Sequence, residues 1–92
     1  MHSLGAVVRS SRQEKGLTLR ALAALAEVSA TYIHQIEHDE RVPSETKADR
    51  LGKALGIDAD LLLLLGGRVP ADILVALQAH PALLTHIRTA VQ

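Results

Sequence analysis

Ninety-two residues of 48% hydrophobic composition suffice for one compact core and leave no room for a second independent domain. With a single aromatic residue, Tyr32, and no Cys, a disulfide framework, a thiolate zinc site and a Cys nucleophile are excluded, and the interior must be Ala, Leu, Val and Ile, as closely packed helices allow. A formal charge of zero excludes coating of nucleic acid by bulk charge, although Arg9, Arg12, Lys15 and Arg20 against Glu14 alone make the N-terminal end the basic one.

Leu4, Val7, Val8 and Ser11 recur at helical spacing and Gly16 ends the run, which predicts a first helix over about residues 3–15. Thr18 is a good N-cap for a second helix of about two turns, Leu19 to Ala26. Ser29 caps a third, Ala30 to about Glu37, with Ile33 and Ile36 on one side and Thr31, His34 and Gln35 on the other. His38 to Pro43 is polar and reads as a loop. Ser44 caps a fourth helix with the apolar stripe Ala48, Leu51, Gly52 and Leu55, closed by Gly56, and Asp58 caps a fifth, about Ala59 to Leu65. Gly66-Gly67 is a flexible joint, after which Pro70 and Pro81 each stand where a first helical turn tolerates proline.

No strand-like alternation occurs, so the fold class is all-α: a domain over residues 1–65, and a helical extension over 66–92 belonging to the same compact unit. The N-terminus has no basic-then-apolar signal pattern, and the apolar run Leu61 to Leu65 is too short to span a bilayer, so a cytoplasmic protein without membrane contact is expected. Ser10, Ser11, the histidines and the carboxylates sit in no nucleophile motif, and His34 and His38 lack a third ligand of the usual kind. No catalytic residue, metal or cofactor is expected.

Two short helices joined by a tight turn must cross steeply, which needs a small residue at the contact and apolar residues around it. Ala23 is that small residue; Leu22, Ala26, Val28, Ile33 and Ile36 supply the apolar surround, leaving Ala30, Thr31, His34 and Gln35 on an open face. Over residues 4–65 this order resembles the phage-repressor-like (lambda repressor and Cro type, XRE-like) helix-turn-helix family. The segments that carry it are Leu4-Gly5 through Arg9-Ser10-Ser11-Arg12, then Gly16-Leu17-Thr18, Leu22-Ala23, Val28-Ser29, Tyr32-Ile33, Gln35-Ile36-Glu37, Pro43-Ser44 and Ala54-Leu55-Gly56-Ile57.

The resemblance implies a five-helix lambda-repressor-like DNA-binding domain, followed here by two short additional helices, whose third helix lies in the major groove of double-stranded DNA. Ala30, Thr31 and Gln35 would read bases, Gln35 by a paired hydrogen bond to adenine. Thr18, Leu19, Tyr32, His34, Arg41 and Lys47 would position phosphates, Thr18 and Leu19 through backbone N–H groups. Arg12 and Glu37 would form a structural ion pair. The chain departs from the family pattern at Leu19, where Gln is frequent, and at Glu27 and Asp39, where Gly is frequent and a side chain is strained if φ is positive. Asp39, Glu40 and Glu45 also bring negative charge near the expected DNA side.

One recognition helix reads few base pairs, so a homodimer on a palindromic operator is expected, acting as a repressor. Ile73, Leu77, Leu84, Ile87 and Val91 are the candidate dimer residues. The alternative is an antitoxin-like or partner-regulated protein whose C-terminal helices bind another protein.

Overall fold

The computed structural model describes residues 2–92. Its seven helices are α1 Leu4–Glu14, α2 Leu19–Ala26, α3 Ala30–Glu37, α4 Glu45–Leu55, α5 Ala59–Leu65, α6 Ala71–Ala79 and α7 Leu83–Ala90. The all-α class expected from the sequence is what the described residues form. The first five helices start where a side chain can accept one of the orphan amides of the first turn. Ser3 accepts from Ala6, Thr18 from Ala21, Ser29 from Tyr32, Ser44 from Lys47 and Asp58 from Asp60, at 2.9–3.2 Å. Their ends are equally local: Gly56 closes α4 at φ +70° and Gly16 follows α1 at φ +67°. Glu27 closes α2 at φ +57° and Asp39 follows α3 at φ +55°, so both departures from glycine do occupy left-handed backbone.

The core is built from α1 to α5. Leu4 and Val8 of α1, Leu22, Ala23 and Ala26 of α2, Ile33 and Ile36 of α3, and Leu62 and Leu63 of α5 are buried. So is the whole α4 stripe, Ala48, Leu51, Gly52 and Leu55. Two glycines set close approaches. A Cβ on Gly5 would collide with the Glu37 carbonyl, and one on Gly52 would lie 2.5 Å from the Ile57 carbonyl, so α1 backs onto the end of α3 and α4 onto the start of α5.

The extension departs from the expectation of one compact unit. Pro70 is buried, but beyond it neither α6 nor α7 buries a residue. The molecule measures 44 × 25 × 22 Å with a radius of gyration of 14.8 Å, against about 12 Å for a compact chain of this length. The physical reason lies in α5: Leu62 and Leu63 already close the core, and Gly66-Gly67 then turns the chain away. No helix among the described residues is long and apolar enough to cross a membrane.

Candidate nucleic-acid interface

Burying Ile33 and Ile36 forces the opposite side of α3 outward, since the two sides are separated by half a helical turn. Thr31 and His34 are exposed there and Gln35 is half-buried at the edge. Ala30, expected on the open face, is half-buried and packs against the core, because it follows the Ser29 cap at the tight α2–α3 turn. Its methyl is left with less surface to offer than the sequence implies. His34 and His38, one turn apart, stack with ring centroids 4.0 Å apart, and His38 Nδ1 lies 2.8 Å from the His34 carbonyl oxygen. Among the described residues no group of three or more His, Cys, Asp or Glu side chains is placed to hold a metal ion.

Arg41, in the loop after α3, turns back onto the helix: its Nε donates to Gln35 Oε1 at 2.8 Å. A carbonyl oxygen has two lone pairs, so Gln35 keeps one for an external donor while its amide nitrogen stays free. The Arg41 guanidinium also lies 5.6 Å from the Tyr32 ring centre, and Lys47 Nζ lies 4.4 Å from it. Two cations are therefore held against one aromatic ring beside the open face of α3.

Tyr32 itself is not on that face. It is 6% exposed, and its hydroxyl is buried with no hydrogen-bond partner. Its hydroxyl therefore presents no surface to a phosphate, and its ring serves as the floor on which Arg41 and Lys47 rest. Burial pushes its phenol above the ordinary value near 10, while the charges of Arg41 and Arg68 pull the other way. Arg68 is a cation of this corner that the sequence did not single out. Its one sequence signal is its place directly after the glycine joint.

At the other end of the surface, the Thr18 hydroxyl is taken up by the Ala21 amide, and Leu19 is half-buried. The Leu19 and Arg20 amides precede the first intrahelical bond of α2, Leu22 N–H to Thr18 O, and so have no carbonyl partner within the helix.

The structure brings Arg12 and Glu37 together. Arg12 Nε donates to Glu37 Oε2 at 2.7 Å, Nη2 to Oε1 at 3.0 Å and Nη1 to the Leu17 carbonyl at 2.9 Å. This fork ties α1, the α1–α2 loop and the last residue of α3 into one unit. Hydrogen bonding to Glu37 holds the guanidinium further up than its ordinary value. Ile73, Leu84, Ile87 and Val91 are exposed and Leu77 is half-buried, all on α6, α7 or the residue after it.

A helix-turn-helix domain family model matches residues 3–65. The HTH-type transcriptional regulator RamB of Mycobacterium tuberculosis is 39% identical over 56 residues, 61% of this chain and 12% of that protein. An uncharacterized HTH-type transcriptional regulator of the same organism is 33% identical over 63 residues, 68% of this chain and 45% of that protein. The chain thus spans less than half the length of either of these relatives. The crystal structure of the clp gene regulator ClgR from Corynebacterium glutamicum superposes with a TM-score of 0.59 at 32% identity, covering 91% of this chain and 84% of that one.

Proposed function

The chain belongs to the helix-turn-helix family of transcription regulators, and from that membership we propose that it binds a palindromic duplex operator as a homodimer and represses transcription by occupying it. The activity is binding, with no catalysis and no cofactor. The observation that carries this reading is the Gln35–Arg41 pair beside the open face of α3: a base-reading amide held by a phosphate-type cation that also rests, with Lys47, on Tyr32. Thr31 and Gln35 read bases, with a smaller part for Ala30; Arg41, Lys47, His34 and the amides at the start of α2 position phosphates.

Two observations favour the homodimer. Ile73, Leu74 and Val75 are 46, 47 and 63% exposed on consecutive positions of α6, so its apolar residues point in several directions, as in a helix that is buried in an assembly. The accessible surface is 6088 Å², about 900 Å² more than a compact monomer of 9.8 kDa exposes, and one partner of a standard interface covers about 800 Å². Selection of bound sequences from a random duplex pool at about physiological salt tests the whole reading. An enriched palindrome with A·T pairs at half-site centres about one helical turn apart supports it; a folded protein that enriches nothing overturns it.

A further inference from the structure

Arg68 stands outside the contact set read from the sequence, yet the fold brings it to the same corner as Arg41 and Lys47. The end of α5 is closed locally, Gly67 N–H donating to Leu64 O at 2.9 Å and Arg68 N–H to Leu63 O at 2.8 Å, which fixes Arg68 directly beside the helix end. Gly66 is pressed so closely on Val42, the residue after Arg41, that an added Cβ would stand 3.2 Å from the Val42 side chain. The α5–α6 turn therefore lies against the α3–α4 loop. Arg68, Glu45, Leu63 and Val69 line a hollow of about 300 Å³, with Glu45 two residues before Lys47 on the first turn of α4.

Arg68 has no carboxylate within salt-bridge distance among the described residues, Glu45 on the same hollow included. Arg68 and Arg41 both act electrostatically on the Tyr32 phenol. The Tyr32 hydroxyl is buried without a hydrogen-bond partner and is not part of the exposed surface on which these cations lie. An exposed guanidinium and two further cations, with Glu45 the carboxylate on the hollow itself, form a surface whose chemistry suits an oxyanion.

We propose that Arg68 binds a phosphodiester of the DNA backbone and completes, with Arg41 and Lys47, a three-cation clamp beside α3. This deepens the DNA-binding reading above and rests on it. The clamp takes one cation from the α3–α4 loop, one from α4 and one from the α5–α6 turn, so the base of the C-terminal extension is part of the grip on DNA. It carries no sequence information, because phosphates are the same on every duplex.

Binding of a sequence-random duplex by the full chain, measured by fluorescence anisotropy between about 50 and 200 mM salt, tests the assignment. Arg68→Ala should weaken binding and make the log–log salt slope shallower by about 0.9, so that its deficit against wild type shrinks about threefold across that range. Arg68→Lys should keep the wild-type slope, and so should Arg88→Ala, which removes the same charge from α7. Parallel lines for wild type and Arg68→Ala overturn the assignment of Arg68 alone, as does an equal slope change in Arg88→Ala, which would mark an effect of net charge. A wild-type chain that binds no duplex overturns the underlying DNA-binding reading and this inference with it.

Discussion

Asp39 Oδ1 accepts the backbone N–H of Gly5 at 2.9 Å, so a residue just past the end of α3 caps the start of α1 from 34 positions away. Asp39 holds this bond from left-handed backbone, φ +55°. The family pattern favours glycine there, and the sequence implied only strain and an unwelcome negative charge. The structure adds the compensating gain: an orphan amide of α1 is satisfied by a carboxylate at the positive end of the helix.

Asp39→Ala loses the cap and puts a residue that tolerates left-handed backbone less well than Asp at φ +55°, and the lost cap and added strain together should cost about 2 kcal/mol. Asp39→Gly loses the cap but relieves the strain and should cost less than about 1 kcal/mol; Asp39→Asn, which tolerates left-handed backbone and keeps an acceptor, should cost least. Denaturant midpoints rank the three. An Ala variant more stable than the Gly variant would refute the account of how Asp39 is tolerated.

The Arg12–Glu37 fork is mostly buried, its side chains 13 and 4% exposed, so removing one partner strands the other. Arg12→Ala and Glu37→Ala should each destabilise the fold by about 3 kcal/mol, Arg12→Ala also by losing its bond to the Leu17 carbonyl. Replacing both, Arg12→Met with Glu37→Leu, should cost less than either single change, because no charge is left unpaired. A double-mutant cycle in chemical denaturation reads the coupling, and additive losses would show the pair to be energetically idle.

What could be read from the sequence is what short-range chemistry specifies. Thr18, Ser29, Ser44 and Asp58 mark four helix starts because a cap acts within three residues, and the α4 stripe shows itself through helical spacing. The Asp39–Gly5 cap and the packing of Gly66 on Val42 were not legible, because nothing local ties residues so far apart. The burial of Tyr32 is not legible for a different reason. Its ring and its hydroxyl suit opposite surroundings, and the sequence does not say that the ring lies next to Ile33 in the core while two cations cover it. In α6 and α7, apolar residues at helical spacing look the same whether their own core or another chain will cover them.

The Tyr32 hydroxyl is buried without a partner, so Tyr32→Phe should stabilise the free protein by about 1 kcal/mol while leaving the ring that Arg41 and Lys47 rest on. Burial raises its folded-state pKa above the unfolded value near 10, so the neutral phenol contributes stability below that value, and the contribution is lost as pH rises through the folded pKa. With one Tyr and no Trp in the chain, phenolate absorbance reports this group alone. An absorbance titration should therefore give a midpoint above 10 in the folded state and close to 10 in denaturant. A folded midpoint at or below the denatured one would contradict the burial of the hydroxyl.

Gln35 and Arg41 are hydrogen-bonded to each other, so their effects on DNA binding should not separate cleanly. Gln35→Ala should cost about 1–3 kcal/mol on the selected operator and relax preference at one base pair, with little change on random duplex. Arg41→Ala should weaken binding to every duplex and flatten the salt slope, and should cost a further increment on the operator because Gln35 loses the donor that orients it. Competition binding with cognate and scrambled duplexes distinguishes the two. If Arg41→Ala weakened both equally, the hydrogen bond between them would have no part in recognition.

Leu84 and Ile87, 43 and 52% exposed on a helix that buries nothing, are the residues on which the homodimer can be tested without harming the core. Charging both, with Leu84→Lys and Ile87→Lys, leaves the α1 to α5 body untouched, so helix content and cooperative unfolding should persist. The difference should lie in concentration dependence. A wild-type dimer gains stability by mass action, so its melting temperature should rise with protein concentration, whereas that of the doubly charged variant should not. Sedimentation should show dimer and monomer respectively, and affinity for the full palindrome should fall toward that for a half-site. If the wild-type chain is itself a monomer at concentrations that saturate the operator, the homodimer is wrong. The apolar surface of α6 and α7 would then belong to a different protein, and the partner-regulated reading would replace it.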